Sequence, residues 1–340
     1  MPTIKDVARE AGVSIATVSY VLNNKRAFFS EETRQQVLEA VERIGYTPNV
    51  TARNLKSSQT RLIGYAWHEV PYGQVNSVLD HFTYCLAQAA EAAGYHLLTF
   101  THPLHDPVPV YAELIKTQRV DGFVLAGTVA NDERIRFLME QEYPFVSFGR
   151  SNPDWTFPWV DTDGQRGVRQ AVEYLLSLGH RRIAMAAWPE ESVSGSFRLA
   201  GYVEALGSRG IAVREDYILR GVHSEQFGRE ALACWYQLPP DERPTAVVAV
   251  SDLIAIGVMN EARQRGLVVG DTLSVIGFDD APMGQYLTPP LTTVQQPIAE
   301  IGQALIGMLE MILSKRTPEV SRLLTAPRLI VRESCGPAPC

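Results

Sequence analysis

The chain has 340 residues, 46% of them hydrophobic and 20% charged, a globular composition too long for one ordinary core, so two or more domains are expected. No run approaches the ~18 consecutive apolar residues that cross a bilayer, and the polar opening "MPTIKD" is unlike a secretory leader; a cytoplasmic protein without membrane association is expected. The formal net charge of -7 excludes a uniformly basic nucleic-acid binder, but the charge is uneven: residues 1–60 sum to +2 and residues 61–340 to -9.

In chain order, the first predicted element is a helix from Ile4, opened by Thr3 and Asp6, whose hydroxyl and carboxylate can both take N-terminal N–H groups. Ile4, Val7, Ala8 and Ala11 share one face, and Gly12 supplies the left-handed turn that ends it. Ser14 caps a second helix that buries Val18, Val21 and Leu22 and leaves Ile15, Ala16, Thr17, Ser19, Tyr20 and Asn23 outward. Helix, short glycine turn and helix make a helix-turn-helix. In a major groove Ile15 and Ala16 can touch thymine methyls and Tyr20 a base edge, while Ser14, Thr17, Ser19 and Asn23 suit phosphate oxygens. Thr3 and Arg26 join this candidate DNA-contact set. A helical corner packed on another protein is the competing reading. A third helix, capped by Ser30 and running over about 31–43, is expected to turn Val37, Leu38, Val41 and Ile44 inward.

The stretch "YTPNVTARNLKSSQT" comes next. Pro48 can start a helix and Asn49 can cap one, but "NVTARNLK" is shorter than the ~12 residues that hold together alone in water. Ala52 and Leu55 form an i, i+3 stripe flanked by Arg53 and Lys56, suited to a second copy of the same helix. Here the chain resembles the lactose-repressor (LacI/GalR) family, through "TIKDVAREAGVSIATVSYVLN", "SEETRQQVLEAVERIGYTPN" and "ARNLK". The resemblance implies hinge helices of two subunits paired in the minor groove, with Leu55 as an apolar wedge and Asn49, Ala52, Arg53 and Lys56 beside it. The expected partners are therefore a near-palindromic operator duplex and a second copy of the chain.

From residue 61 short apolar runs alternate with amphipathic segments. The strands are expected at "RLIGYAW", "YHLLTFT", "DGFVLAG", "PFVSFG", "RRIAMAA", "TAVVAVS" and "LSVIGFD", with helices between, which predicts parallel sheets in two α/β units. No GxGxxG or Walker motif, nucleophile triad or metal-spaced His/Cys cluster is present; four cysteines are scattered without a CxxC. No enzyme activity, cofactor or metal is expected.

Ligands in such folds bind beyond the carboxyl ends of strands. Arg150, Asp252 and Asp279 stand there, with Arg198 in "SFRLAGY" and His223 in "GVHSE". Carboxylates and an Arg fork suit vicinal hydroxyls, and Trp67 and Phe100 at strand ends can supply aromatic walls. Asp252 can equally cap the next helix, Asp279 can cap a short turn, and Arg198 can be a structural ion pair.

The resemblance continues through "GHRRIA", "RLAGY", "PTAVVAVSDLIAIGV", "LSVIGFDD", "PPLTTVQQP" and "LIVRES". It implies a body like a periplasmic sugar-binding protein: two Rossmann-like subdomains joined by three crossovers, with Arg198, His223, Asp279 and Gln296 at the effector. "FGR", ending at Arg150, resembles a subgroup that takes glucosides and oligosaccharides. The expected domains are a head (1–47), a hinge (48–60), an N-terminal subdomain (61–158 and 292–320), a C-terminal subdomain (159–291 and 321–334) and a tail (335–340). The expected function is a sugar-released transcriptional repressor; a ligand acting as corepressor is the alternative.

Overall fold

A computed structural model describes residues 2–22, 28–46, 59–67, 76–103 and 105–339. The chain divides into two units, Met1–Thr60 and Arg61–Cys340. The hinge residues Asn49, Ala52, Arg53, Leu55 and Lys56 lie outside the described residues, as do Asn23 and Arg26.

The head contains α1 (Ile4–Glu10), α2 (Ile15–Leu22) and α3 (Glu31–Ile44). Thr3 opens α1 by donating its backbone N–H and its hydroxyl to the Asp6 carboxylate, at 2.9 and 2.7 Å. Between α1 and α2, Gly12 has φ +64° and no atom within 4 Å of where a Cβ would stand. The glycine is thus required by the backbone, not by packing. Ser14 caps α2, its hydroxyl oxygen accepting the Thr17 N–H at 3.0 Å. Val7, Ala8, Val18, Val21, Val37 and Ala40 form the core. Leu38, expected inward, is exposed; Ala40 takes the buried place, because the inward stripe of α3 runs through Val37, Ala40, Val41 and Ile44.

The body opens with β1 (Leu62–Trp67), α4 (Ser77–Ala92), β2 (His96–Thr101), α5 (Val108–Lys116), β3 (Gly122–Leu125), α6 (Glu133–Glu140) and β4 (Phe145–Phe148). It continues with β5 (Trp159–Thr162), α7 (Gly164–Ser177), β6 (Ile183–Ala187), α8 (Val193–Gly207), β7 (Ile218–Arg220) and α9 (Glu225–Trp235). It closes with β8 (Ala246–Ala249), α10 (Asp252–Gln264), β9 (Ser274–Asp279), β10 (Thr292–Gln295), α11 (Ile298–Leu313), β11 (Arg322–Thr325) and β12 (Arg328–Ile330). Two sheets result, ordered β11-β5-β4-β3-β1-β2 and β12-β10-β9-β8-β6-β7. All neighbours are parallel except β12, which runs antiparallel to β10. Their apolar faces are covered by helices, giving separate cores in the two subdomains. In the second, α9 meets α10 backbone to backbone: a Cβ on Gly228 would lie 2.1 Å from the Ile254 carbonyl oxygen.

The sheet order corrects the three expected crossovers near 158, 291 and 320. β5 pairs with β4 in the first sheet (Ser147↔Trp159), β10 with β9 in the second (Thr292↔Ile276), and β11 with β5 in the first (Arg322↔Trp159). Each crossover therefore comes after its strand instead of before it. No helix separates β4 from β5, so the connection read as a change of subdomain; in fact an irregular loop returns the chain to the same sheet. The segment expected as a tail docks on the second subdomain: Gly336 N–H donates to Ser274 Oγ at 3.1 Å and Ala338 N–H to the Leu178 carbonyl at 2.9 Å. Among the described residues no helix is long and apolar enough to cross a membrane.

Candidate functional site

The crossovers lie side by side. Thr325 Oγ1 donates to the Asp161 carbonyl at 3.1 Å, and Thr162 Oγ1 to Gln296 Oε1 at 2.7 Å, so the first crossover is bonded to both others. Above them the strand ends of both sheets enclose a cavity of about 250 Å³. The first subdomain contributes Asn76, Thr128, Gly149 and Asp161; the second contributes Trp188, Ser192, Ser194, Arg198, His223 and Asp279, with Gln296 at a crossover.

Arg198, Asp279, Gln296 and His223 are thus brought together. Arg198 is 5% exposed and lies over the Phe278 ring, its guanidinium carbon 3.7 Å from the centroid. Its Nη1 donates to the Val250 carbonyl and stands 3.9 Å from Asp279 Oδ1. Gln296 Nε2 donates to that same Oδ1 at 2.7 Å. Asp279 closes β9 at φ +125°, a backbone position L-residues rarely take, so its carboxylate is placed at a cost in strain. Burial drives the Asp279 and Asp161 carboxyls above the usual carboxylate range, against the pull of Arg198 and Arg150. Burial first, then Arg198, lowers His223 to about 4, so its imidazole is neutral at pH 7.

Three buried nitrogens here lack a hydrogen-bond partner: Arg198 Nε, Trp188 Nε1 and His223 Nδ1. Buried polar groups are nearly always satisfied, so orphans in one cavity wall mark where a ligand supplies the missing atoms.

Other expected site residues lie elsewhere. Asp252 does not line the cavity; its carboxylate accepts the Ala281 N–H at 2.6 Å and the Thr293 hydroxyl, holding the loop after Asp279. Phe100 is a core residue, packed edge-on against Tyr111 and Phe123; it sits on β2, the far edge of the first sheet, away from the cleft. Trp67 ends β1 edge-on to Tyr65 and is not in the cavity wall. Arg150 donates from Nε to Asp161 Oδ2 at 2.8 Å and lies just outside the cavity. Asp161 and Trp188 were missed, although both stand at the carboxyl ends of strands: Asp161 in a strand assigned to the wrong subdomain, Trp188 directly after β6.

On the head, Ile15 and Ala16 are exposed, and Thr17 and Ser19 half-buried. Tyr20 stacks on Phe28, with centroids 4.7 Å apart. Thr3 and Ser14 are exposed beside these helices, their side chains engaged in the caps.

A helix-turn-helix followed by two crossover-linked parallel sheets around a polar cavity defines a ligand-responsive DNA-binding regulator. Residues 3–49 match the model for bacterial regulatory proteins of the lacI family, and residues 172–335 that for a periplasmic binding protein-like domain. The chain is similar to the HTH-type transcriptional repressor PurR of Erwinia tasmaniensis, 34% identical over all of this chain and 98% of that protein. It resembles the structure of a transcriptional regulator CelR–cellobiose complex (30% identity, TM-score 0.75, covering 98% of this chain and 100% of that one). It also resembles the lac repressor dimer bound to operator and the anti-inducer ONPF (26%, TM-score 0.80, 98% of each chain). The chain belongs to the lacI family of bacterial regulatory proteins.

Proposed function

We propose that this regulator is a cytoplasmic repressor, acting as a homodimer on a near-palindromic operator, and that a neutral sugar in the cleft releases it. The carrying observation is the chemistry of the cavity. Two carboxylates (Asp161, Asp279) face one guanidinium (Arg198), and His223 is neutral at pH 7, so no cation is spare for a phosphate or an acid. Carboxylate acceptors beside three unsatisfied nitrogens suit a ring bearing many hydroxyls, each both donor and acceptor. The cellobiose bound in CelR and the operator-bound dimer of the lac repressor support the sugar and dimer readings.

A ligand here touches both subdomains and favours one relative arrangement of them. It changes DNA affinity only to the extent that it binds that arrangement better. Ile15 and Ala16 meet base edges, Ser14, Thr17 and Ser19 the phosphates, and Leu55 the minor groove. Operator duplexes selected from random sequence, titrated with neutral sugars in a gel-shift series, test the proposal. Release by a sugar is expected; tightening makes the ligand a corepressor, and indifference to every neutral sugar removes the sugar reading.

A further inference from the structure

We propose that the effector is a linear neutral oligosaccharide of at least two rings, its terminal ring in the inner cavity and its next ring in an aromatic vestibule beside Arg150. This rests on the neutral-sugar reading above and extends it to the length of the ligand.

A second cavity, of about 630 Å³, opens on the same cleft and is larger than the inner one. Trp155, Phe157 and Trp159 line it from the β4–β5 connection, and Phe197 from α8 of the other subdomain. The two chambers are separated by a wall one residue thick. Gly149 lines the inner chamber and Arg150 the outer; Ser192 and Ser194 line the inner, Val193 and Ser196 the outer.

Arg150 belongs to both. Its Nε donates to Asp161, which lines the inner chamber, at 2.8 Å, while its guanidinium carbon lies 3.5 Å from the centroid of Phe197 and 5.7 Å from that of Trp159. With no ligand present, this cation closes the passage by bridging the first subdomain to α8.

The inner cavity is smaller than the ~300 Å³ at which ordinary small-molecule pockets begin, and it carries the orphaned polar atoms. It suits one hydroxylated ring. The vestibule offers what the next ring of a sugar chain needs: flat aromatic faces for its C–H surface, with Asn131 and Asn152 at the rim for its hydroxyls. Glu190, Glu191 and Asp154 on that rim disfavour an anionic chain.

Calorimetric titration of the full chain with glucose, galactose, cellobiose, cellotriose, maltose, maltotriose and lactose tests the proposal. At least one disaccharide is expected to bind tenfold or more tighter than its monosaccharide. Trp155→Ala and, separately, Phe197→Ala should lower disaccharide affinity tenfold while leaving the melting temperature of the free protein and monosaccharide binding unchanged. Equal affinity for mono- and disaccharides, or disaccharide affinity unchanged in both variants, overturns the vestibule and leaves the inner sugar site standing. Binding of none of the seven sugars overturns the neutral-sugar reading, and the vestibule with it.

Discussion

Gln296 donates its amide to the Asp279 carboxylate and accepts the Thr162 hydroxyl, each at 2.7 Å, so one buried side chain ties two crossovers to the wall of the cavity. Gln296→Leu keeps the volume and strands both partners. Leaving buried polar groups unsatisfied costs about 1–3 kcal/mol. The denaturation midpoint of the body is expected to fall accordingly, and a midpoint equal to that of the parent would show that the bridge carries no stability.

Asp279→Asn keeps the shape of the side chain but removes its charge from beside Arg198. Hydrogen bonds to ionised groups are worth about 1.5–3 kcal/mol, so effector affinity should drop by roughly ten- to a hundredfold. Operator affinity without ligand should not change, because the side chain lies in the cleft. A variant released from operator at the parental ligand concentration takes Asp279 out of the site.

His223 titrates near 4 in the folded chain against an ordinary 6.5, because it is buried and close to Arg198. Between those values the unfolded state binds the proton and the folded state does not, so stability declines as pH falls from about 6.5 towards 4. This single group can cost at most about 3 kcal/mol. Burial lowers His180 as well, in the same sense, whereas the raised Asp279 acts oppositely: its contribution is lost as pH rises. Urea unfolding at pH 7 and pH 5 should show a smaller loss in His223→Gln than in the parent; equal losses refute the assignment.

Gly12→Ala places a Cβ in open space, so its whole cost is that of a left-handed φ, about 1–2 kcal/mol. The head alone should lose that stability, visible as an earlier transition in hydrogen exchange of α1 and α2, with the body unaffected. Exchange unchanged in the head would mean that the turn adopts another conformation.

Ile15→Ala removes an exposed apolar side chain from the start of α2 without touching the head's core. Selection from random duplexes should return a relaxed preference at one position per half-site. The salt dependence of binding should be retained, since no phosphate contact is lost. An unaltered selected consensus would place Ile15 away from the bases.

The head was legible because its signals are local: a cap, a glycine turn and a helical stripe within a few residues of each other. Leu38 escaped because two adjacent apolar residues on α3 cannot both face a core shared with only two short helices. The seven quoted strands all form, each being a continuous apolar run. What could not be read locally was which sheet adopts β5, β10 and β11, since that is decided by pairing with strands far away in sequence. The same long-range pairing puts Asp161 into the cavity and leaves Phe100 on the far edge, although both stand near strand ends.

Both sheets receive an outer strand from the very end of the chain, β11 in one and β12 in the other, while the head has a core made entirely of residues 4–46. During synthesis the DNA reader is therefore complete long before either half of its sensor. A ribosome that stops short of Arg322 releases a protein whose operator-reading surface is intact and whose sugar response is not, so loss-of-response alleles are expected to include chain terminations at the far end of the gene.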